Sequence, residues 1–158
     1  AYLRANLRYD AKTGLLWWKL REKGRVLTRP AGRQTKSRHI TVGIERRQYM
    51  AHQLIWAMRT GKSSKREIHH KNRKPADNRW CNLRPATTSQ NRANASLRSD
   101  NTSGRKGVSR FRGGKKWRAR VYVNGKEKHL GLFTNKATAA KVYAAAARKQ
   151  FGEFAHVA

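Results

Sequence analysis

The chain has 158 residues, enough for one ordinary domain or two small modules. Its 38 Lys and Arg against 8 Asp and Glu give a formal net charge of +30, and self-repulsion on that scale opposes compaction unless the charge meets a polyanion. Cys81 is the only cysteine, which excludes intrachain disulfides and cysteine-based zinc knuckles, and no stretch approaches the ~20 apolar residues that a membrane span needs. Nucleic acid is therefore the expected partner, with a membrane surface a distant second. The opening Ala1-Tyr2-Leu3-Arg4 lacks the apolar core of a signal peptide, so a cytoplasmic location is expected. Five Trp, five Tyr and four Phe spread along the chain argue against a disordered basic tail.

Residues 1–64 read as strands followed by a supporting helix. Leu15 to Leu20 is a short apolar run opened by the turn signal Lys12-Thr13-Gly14. Thr28 to Arg38, rich in Arg, Lys, Gly and Pro, reads as a basic loop. In His39 to Ile44 the alternation puts Ile40, Val42 and Ile44 on one face of a strand. Met50, Leu54, Ile55 and Met58 then recur at helical steps, and Gly61 stops that helix.

Residues 65–95 carry the chemistry. Ile68 begins a predicted strand, Lys71 to Asn78 must be a loop because Pro75 lies inside it, and Trp80 to Leu83 is expected to return as the second strand. Thr87 with Gln90 three residues on is a capping-box pattern, which starts a helix near Thr88 and places Asn91 in its first turn. The adjacent His69 and His70, Asn82 twelve residues after His70, and Asn91 nine residues later form one spaced set. A neutral imidazole titrates near physiological pH, so His70 can take a proton from water. His69 can offer a nitrogen to a metal, and Asn91 a side-chain oxygen. Adjacent strand residues point to opposite faces, so both histidines reach one phosphate only if the strand ends or twists there. Asp77 and Asn78 read as a loop turn or a salt bridge to Arg79, and Cys81 as a packing residue. His52 reads as packing or phosphate-contacting, while His39, His129 and His156 have no evident partner.

Residues 96–105 contain no apolar residue after Leu97 and read as a linker. Residues 106–158 read as three strands and a helix. Trp117, Ala119, Val121 and Val123 form one face of a strand, and Arg118, Arg120 and Tyr122 the other. Asn124-Gly125 is the strongest hairpin signal in the chain. Asn135 to Phe151 is Ala-rich and helical, with Ala139, Val142, Tyr143, Ala146 and Ala147 on one stripe. The expected class is α+β.

Tyr49 to Ala57, the His-His pair, Asp77 to Arg84 and Ser89 to Asn94 together resemble the HNH homing-type endonucleases of phages. That resemblance implies a ββα-metal module in which His70 is the general base and Asn82 braces the loop through its amide. It also implies that Asn91 is a helix-borne metal ligand. The family often has Asp where this chain has His69; HNH nucleases of the colicin toxin type carry a His-His pair whose first His binds metal. A divalent ion is implied, with Mn, Co, Ni or Zn favoured over Mg by the imidazole at position 69.

Ser103 to Val108, Lys116 to Ala119, His129 to Phe133 and the helix up to Ala155 resemble the plant Apetala-type, or ethylene-response-factor, DNA-binding domain. Phage HNH proteins often carry such a tail. The resemblance implies a three-stranded antiparallel sheet packed on one helix, with the free sheet face entering the major groove. Lys106, Ser109, Phe111, Arg118, Arg120, Tyr122 and His129 are the matching DNA-binding positions.

The expected function is a metal-dependent endonuclease on double-stranded DNA, without a small-molecule substrate or membrane partner, in the cytoplasm of a phage-infected bacterial host. One active site per chain makes nicking by a monomer natural, and double-strand cleavage calls for a homodimer. The alternative is a non-catalytic, sequence-specific DNA-binding protein with a decayed HNH site. An RNA-binding basic protein of ribosomal type explains the charge but not the motif.

Overall fold

The computed structural model describes residues 2–19, 28–112 and 114–157. The chain divides into two compact units, Ala1–Pro85 and Ala86–Ala158. Its elements are mixed helix and small sheets, an α+β fold. Among the described residues no helix is long and apolar enough to cross a membrane.

The first unit opens with α1 (Tyr2–Asn6) and a hairpin of β1 (Leu7–Asp10) and β2 (Leu15–Trp18), which pair antiparallel. Asp10 closes the turn, accepting from the Lys12 amide at 2.9 Å and the Thr13 hydroxyl at 2.8 Å. Leu20, the last residue of the expected apolar run, lies outside the described residues. A three-stranded antiparallel sheet follows, with β4 (Ile40–Ile44) between β3 (Arg33–Gln34) and β5 (Arg47–Met50). The basic stretch Thr28 to Arg38 is therefore not all loop. Its two-residue strand is fixed by pairing with β4, a long-range interaction that leaves no apolar alternation in the sequence. Helix α2 (Ala51–Thr60) ends where Gly61, at φ 79°, turns its amide back onto the Ala57 carbonyl. β6 (Glu67–His70) and β7 (Leu83–Ala86) form a two-stranded sheet.

Leu7, Leu16, Val42, Ile44, Leu54, Ile55 and Ile68 meet in one buried cluster. Each such aliphatic side chain removed from water stabilises the unit by roughly 1.5–3 kcal/mol, so strand, helix and motif share one core. Trp80 to Leu83 is not the expected strand. Trp80–Asn82 is a 3₁₀ turn, closed by the Asn82 amide on the Arg79 carbonyl at 2.9 Å, and strand β7 starts only at Leu83. The fold spends Asn82 on loop contacts that a pleated strand would not allow.

The second unit begins with α3 (Thr88–Asn94) and continues as β8 (Val108–Arg110), β9 (Trp117–Val123), β10 (Lys126–Phe133) and α4 (Lys136–Phe151). The strands pair antiparallel in the order β10-β9-β8. Asn124 at φ 51° and Gly125 at φ 82° make the tight β9–β10 turn, the left-handed pair that matches strand twist. Ala139, Tyr143, Ala147 and Phe151 form the buried stripe of α4, packed with Val108, Ala119 and Val121 of the sheet. Val142 and Ala146 sit half-buried beside that stripe. The small residues let the helix backbone lie close to the strands. The segment 96–105, expected as a linker, belongs to this unit: Ser103 is buried, its hydroxyl donates to the Arg105 carbonyl at 2.8 Å, and its carbonyl accepts from Lys136.

The capping box on α3 is complete. Thr87 Oγ1 accepts from the Gln90 amide at 3.2 Å, and Gln90 Oε1 accepts from the Thr87 amide at 2.9 Å. Thr87→Ala is expected to destabilise this unit by about 1 kcal/mol in urea unfolding. An unchanged midpoint would mean that α3 is held by packing alone.

Candidate functional site

The loop from Lys71 to Arg79 is organised by the Asn82 side chain. Asn82 Oδ1 accepts from the Asn72 amide at 2.9 Å, while its Nδ2 donates to Asn72 Oδ1 at 3.0 Å and to the Asp77 carbonyl at 2.7 Å. One amide group thus ties both ends of the loop, and the Lys71 amide adds a bond to the Asn82 carbonyl. Asp77 grips Arg79 through two hydrogen bonds, at 2.8 and 2.6 Å, and accepts from Asn72 Nδ2. These bonds, that from Arg79 foremost, hold the Asp77 carboxyl at a pKa of about 2. Cys81, expected in packing, is exposed instead, because the 3₁₀ turn presents it outward.

His70 lies at the end of β6 and is 6% exposed. Its Nε2 meets Asn78 Oδ1 at 3.0 Å. Asn78 Nδ2 faces the Ala76 carbonyl at 3.4 Å, which orients the amide oxygen towards the imidazole. The Nε2–H therefore donates, and the basic lone pair sits on Nδ1. Burial is the main cause that lowers the pKa of His70, against an opposing contribution from the Asn78 bond. The group is neutral at physiological pH and can accept a proton. In the sequence Asn78 has only the signature of a turn or of a partner for Arg79; its contact with His70 crosses eight positions and leaves no local pattern.

Two further imidazoles flank this one. The ring of His52, on α2, stands edge-on to His70 with centroids 5.0 Å apart, and His39 lies 5.7 Å from His52 and 5.9 Å from His70. His52 is buried, and its Nδ1 has no hydrogen-bond partner among the described residues. His39, which has no evident partner in the sequence, is brought here from the end of the basic segment. The β1–β2 hairpin backs the loop from the other side. Tyr9 OH donates to the Asn78 carbonyl at 2.9 Å. A Cβ on Gly14 would stand 2.5 Å from the Arg79 amide nitrogen, at φ +78°, so only glycine allows that approach.

His69 is buried beside it on β6, and its Nδ1 accepts from Arg84 Nε on β7 at 3.4 Å. Burial first, and the guanidinium second, push its pKa down to about 4. Asn91 lies on α3 in the second unit, with its amide bonded to the Thr87 carbonyl. Among the described residues no group of three or more His, Cys, Asp or Glu side chains is placed to hold a metal ion. His69 nonetheless has the chemistry of a borderline nitrogen ligand, an imidazole that burial keeps neutral.

A family model described as HNH endonuclease matches residues 49–93. The match runs from the end of β5 into α3 and includes His52, His69, His70, Asn82 and Asn91. It supports an HNH nuclease, a phosphodiester hydrolase with DNA as substrate. Comparison with curated proteins and with solved structures gives no significant match.

In the second unit, Ser109, Arg118, Arg120, Tyr122 and His129 lie on the sheet face away from α4, with Ser109 opposite Arg118 and His129 opposite Arg120. Phe111 follows β8 and is half-buried. Lys106 is placed differently. Its ammonium donates to the carbonyls of Ala93 and Ala95 at 2.6 Å each and to that of Arg92 at 3.2 Å, closing the C-terminus of α3.

His52 is also held neutral, its pKa lowered to about 4 by burial and then by His70 and His39. Between about pH 6.5 and 4 the unfolded chain binds protons at His52 and His69 that the folded chain refuses. Stability is therefore full above pH 6.5 and falls as the pH drops towards 4. The loss from His52 alone is on the order of 3 kcal/mol. Thermal midpoints measured from pH 7 to 4 should fall, and less steeply for His52→Gln. A flat profile would show that these imidazoles are not buried in neutral form.

Proposed function

We propose that the chain is a metal-dependent HNH endonuclease of the homing type found in phages. It hydrolyses phosphodiester bonds of double-stranded DNA in the cytoplasm of the host cell. The observation that carries this reading is the neutral His70, its Nε2 engaged by Asn78 in a loop locked by Asn82, within the segment that the HNH family model matches. His70 Nδ1 takes a proton from water. The resulting hydroxide oxygen bonds to phosphorus as the bond to the 3′ oxygen breaks, and that oxygen leaves with a proton from solvent. The products are a 5′ phosphate and a 3′ hydroxyl, with no covalent enzyme intermediate. Nicking by a monomer follows from one site per chain, and cutting both strands requires two.

His69 is the ligand that β6 contributes, and in the sequence pattern Asn91 is its companion. A bound divalent ion supplies charge stabilisation at the phosphoryl and departing oxygens. One imidazole and one amide oxygen, without a carboxylate, suit Mn²⁺, Co²⁺, Ni²⁺ or Zn²⁺ better than Mg²⁺. With Nδ1 facing Arg84, the proton of neutral His69 sits on Nε2, so ligation through Nε2 has to displace that proton and loosen the Arg84 contact. This guanidinium is also the observation that favours a second reading, a sequence-specific DNA-binding protein with a decayed nuclease site.

Plasmid nicking separates the two. His70→Ala should lower the cleavage rate by on the order of 10²–10⁴-fold and leave duplex affinity within a few-fold, because affinity comes from Lys and Arg on phosphates. Near wild-type cleavage by His70→Ala would remove His70 as the base, and no cleavage by the wild type with any ion would favour the second reading.

Metal preference gives an independent check. Wild-type cleavage should be faster with Mn²⁺ or Co²⁺ than with Mg²⁺, His69→Asp should raise the Mg²⁺-supported rate, and calorimetry should find weaker metal binding to the free protein than to its DNA complex. Equal rates with Mg²⁺ and Mn²⁺, unaltered in His69→Asp, would show that His69 is not a ligand.

A further inference from the structure

The sheet face of the second unit carries one carboxylate among its cations. Glu127 on β10 stands opposite Tyr122 on β9. Its Oε2 accepts from Arg120 Nη1 at 2.7 Å and from Tyr122 OH at 2.6 Å, and Arg120 Nη1 is also 3.2 Å from that hydroxyl. One oxygen thus holds a guanidinium and a phenol in a fixed triangle. The Arg120 and Glu127 side chains remain about one-third exposed, at 32% and 35%. Arg120 Nε and Nη2 make no hydrogen bond to a described residue. Beside this triangle, Ser109 Oγ and Arg118 Nε are buried and lack a hydrogen-bond partner among the described residues. Polar atoms left so are uncommon, and here they sit on the face that an external ligand would cover.

We propose that Glu127 is a specificity-determining residue of this face, which fixes Arg120 to read one base pair in the major groove of duplex DNA. The proposal rests on the reading that the chain binds DNA. A carboxylate facing a polyanion lowers affinity for the phosphate backbone, so its place among 38 Lys and Arg points to a use in discrimination between bases. Unrestrained, Arg120 would follow phosphates, as any exposed arginine does. Pinned at Nη1, it presents Nε and Nη2 as a two-donor edge, and Glu127 keeps Oε1 as an adjacent acceptor. Two donors beside one acceptor complement the major-groove edge of a G·C pair, where guanine offers O6 and N7 and cytosine offers its N4 amino group. Tyr122 fixes the carboxylate and leaves the remaining oxygen for the base.

The test uses the full chain, with chelator to suppress cleavage, and a pool of duplexes randomised over a central stretch. Bound molecules are sequenced, and affinities are measured for the selected and for an unselected duplex at several salt concentrations. The wild type should select G·C at one position. Glu127→Gln keeps an acceptor, removes the charge and leaves a surface position intact. It should cut the preference at that position by on the order of tenfold and bind the unselected duplex a few-fold more tightly. Arg120→Lys, which keeps the charge and loses the fork, should also lose the preference. An unchanged preference in Glu127→Gln, or a wild type that binds without preference at any position, overturns the role of Glu127 while DNA binding stands. Absence of duplex binding at low salt would defeat the DNA-binding reading itself, and this proposal with it.

Discussion

The three hydrogen bonds of the Asn82 side chain are the constraint on which the nuclease segment depends. The loop from Lys71 to Arg79, with Pro75 inside and few apolar side chains, has little burial to offset the entropy of ordering it. Asn82 supplies the missing order by serving donors and acceptors from both ends of the loop at once. Because the loop closes there, Asn78 arrives beside His70, and the β1–β2 hairpin finds a backbone surface to pack on. An aspartate could accept from the Asn72 amide but has no N–H for the Asp77 carbonyl. Asparagine is required because the site needs a donor and an acceptor on one short side chain.

The electrostatics of the chain divide by depth. Outside, the excess of cations favours a polyanionic partner. Inside, His39, His52 and His70 touch one another, and His52, His69 and His70 all have lowered pKa values, with burial as the first cause. For these last three imidazoles in a strongly basic protein, a proton would be buried and unfavourable. Burial thus favours the neutral form of His70, the proposed general base, as it does for His52 and His69, at the cost of stability in acid. Asn78 works in the other direction on His70, fixing which nitrogen holds the proton.

Much of this was legible in the sequence where the signal is local. The Thr87–Gln90 capping box, the Asn124-Gly125 turn and the stripes of α2 and α4 depend on residues within a few positions of one another, and each forms as its pattern predicts. The elements that were missed are held from afar. β3 exists through pairing with β4, α1 is a single turn without an apolar stripe, and the 3₁₀ turn at Trp80 replaces a strand because Asn82 is engaged by the loop. The same distinction runs through the site. Spacing marks His70 and Asn82, whereas His39 comes from more than thirty residues upstream and Asn78 looks like any turn residue. Lys106 shows a contact the pattern does not carry: the resemblance places it among DNA-binding positions, and its ammonium also donates to three carbonyls at the end of α3.

The proposed metal chemistry and the net charge pull against each other. A divalent cation that approaches the free protein meets a strongly positive field, a neutral imidazole and the Arg84 guanidinium, with no carboxylate among the ligands to offset them. Bound DNA reverses this balance, because phosphate oxygens bring negative charge to the place where the ligand set lacks it. Arg84 then has an anion to face in place of His69 Nδ1. In the proposed site, substrate and cation would be mutually dependent ligands, and by linkage each would raise the affinity for the other. If His69 and Asn91 are the ligands, the absence of a carboxylate would not be a simple loss of function: it would make the proposed site respond to its substrate, with metal held weakly until a phosphodiester is present.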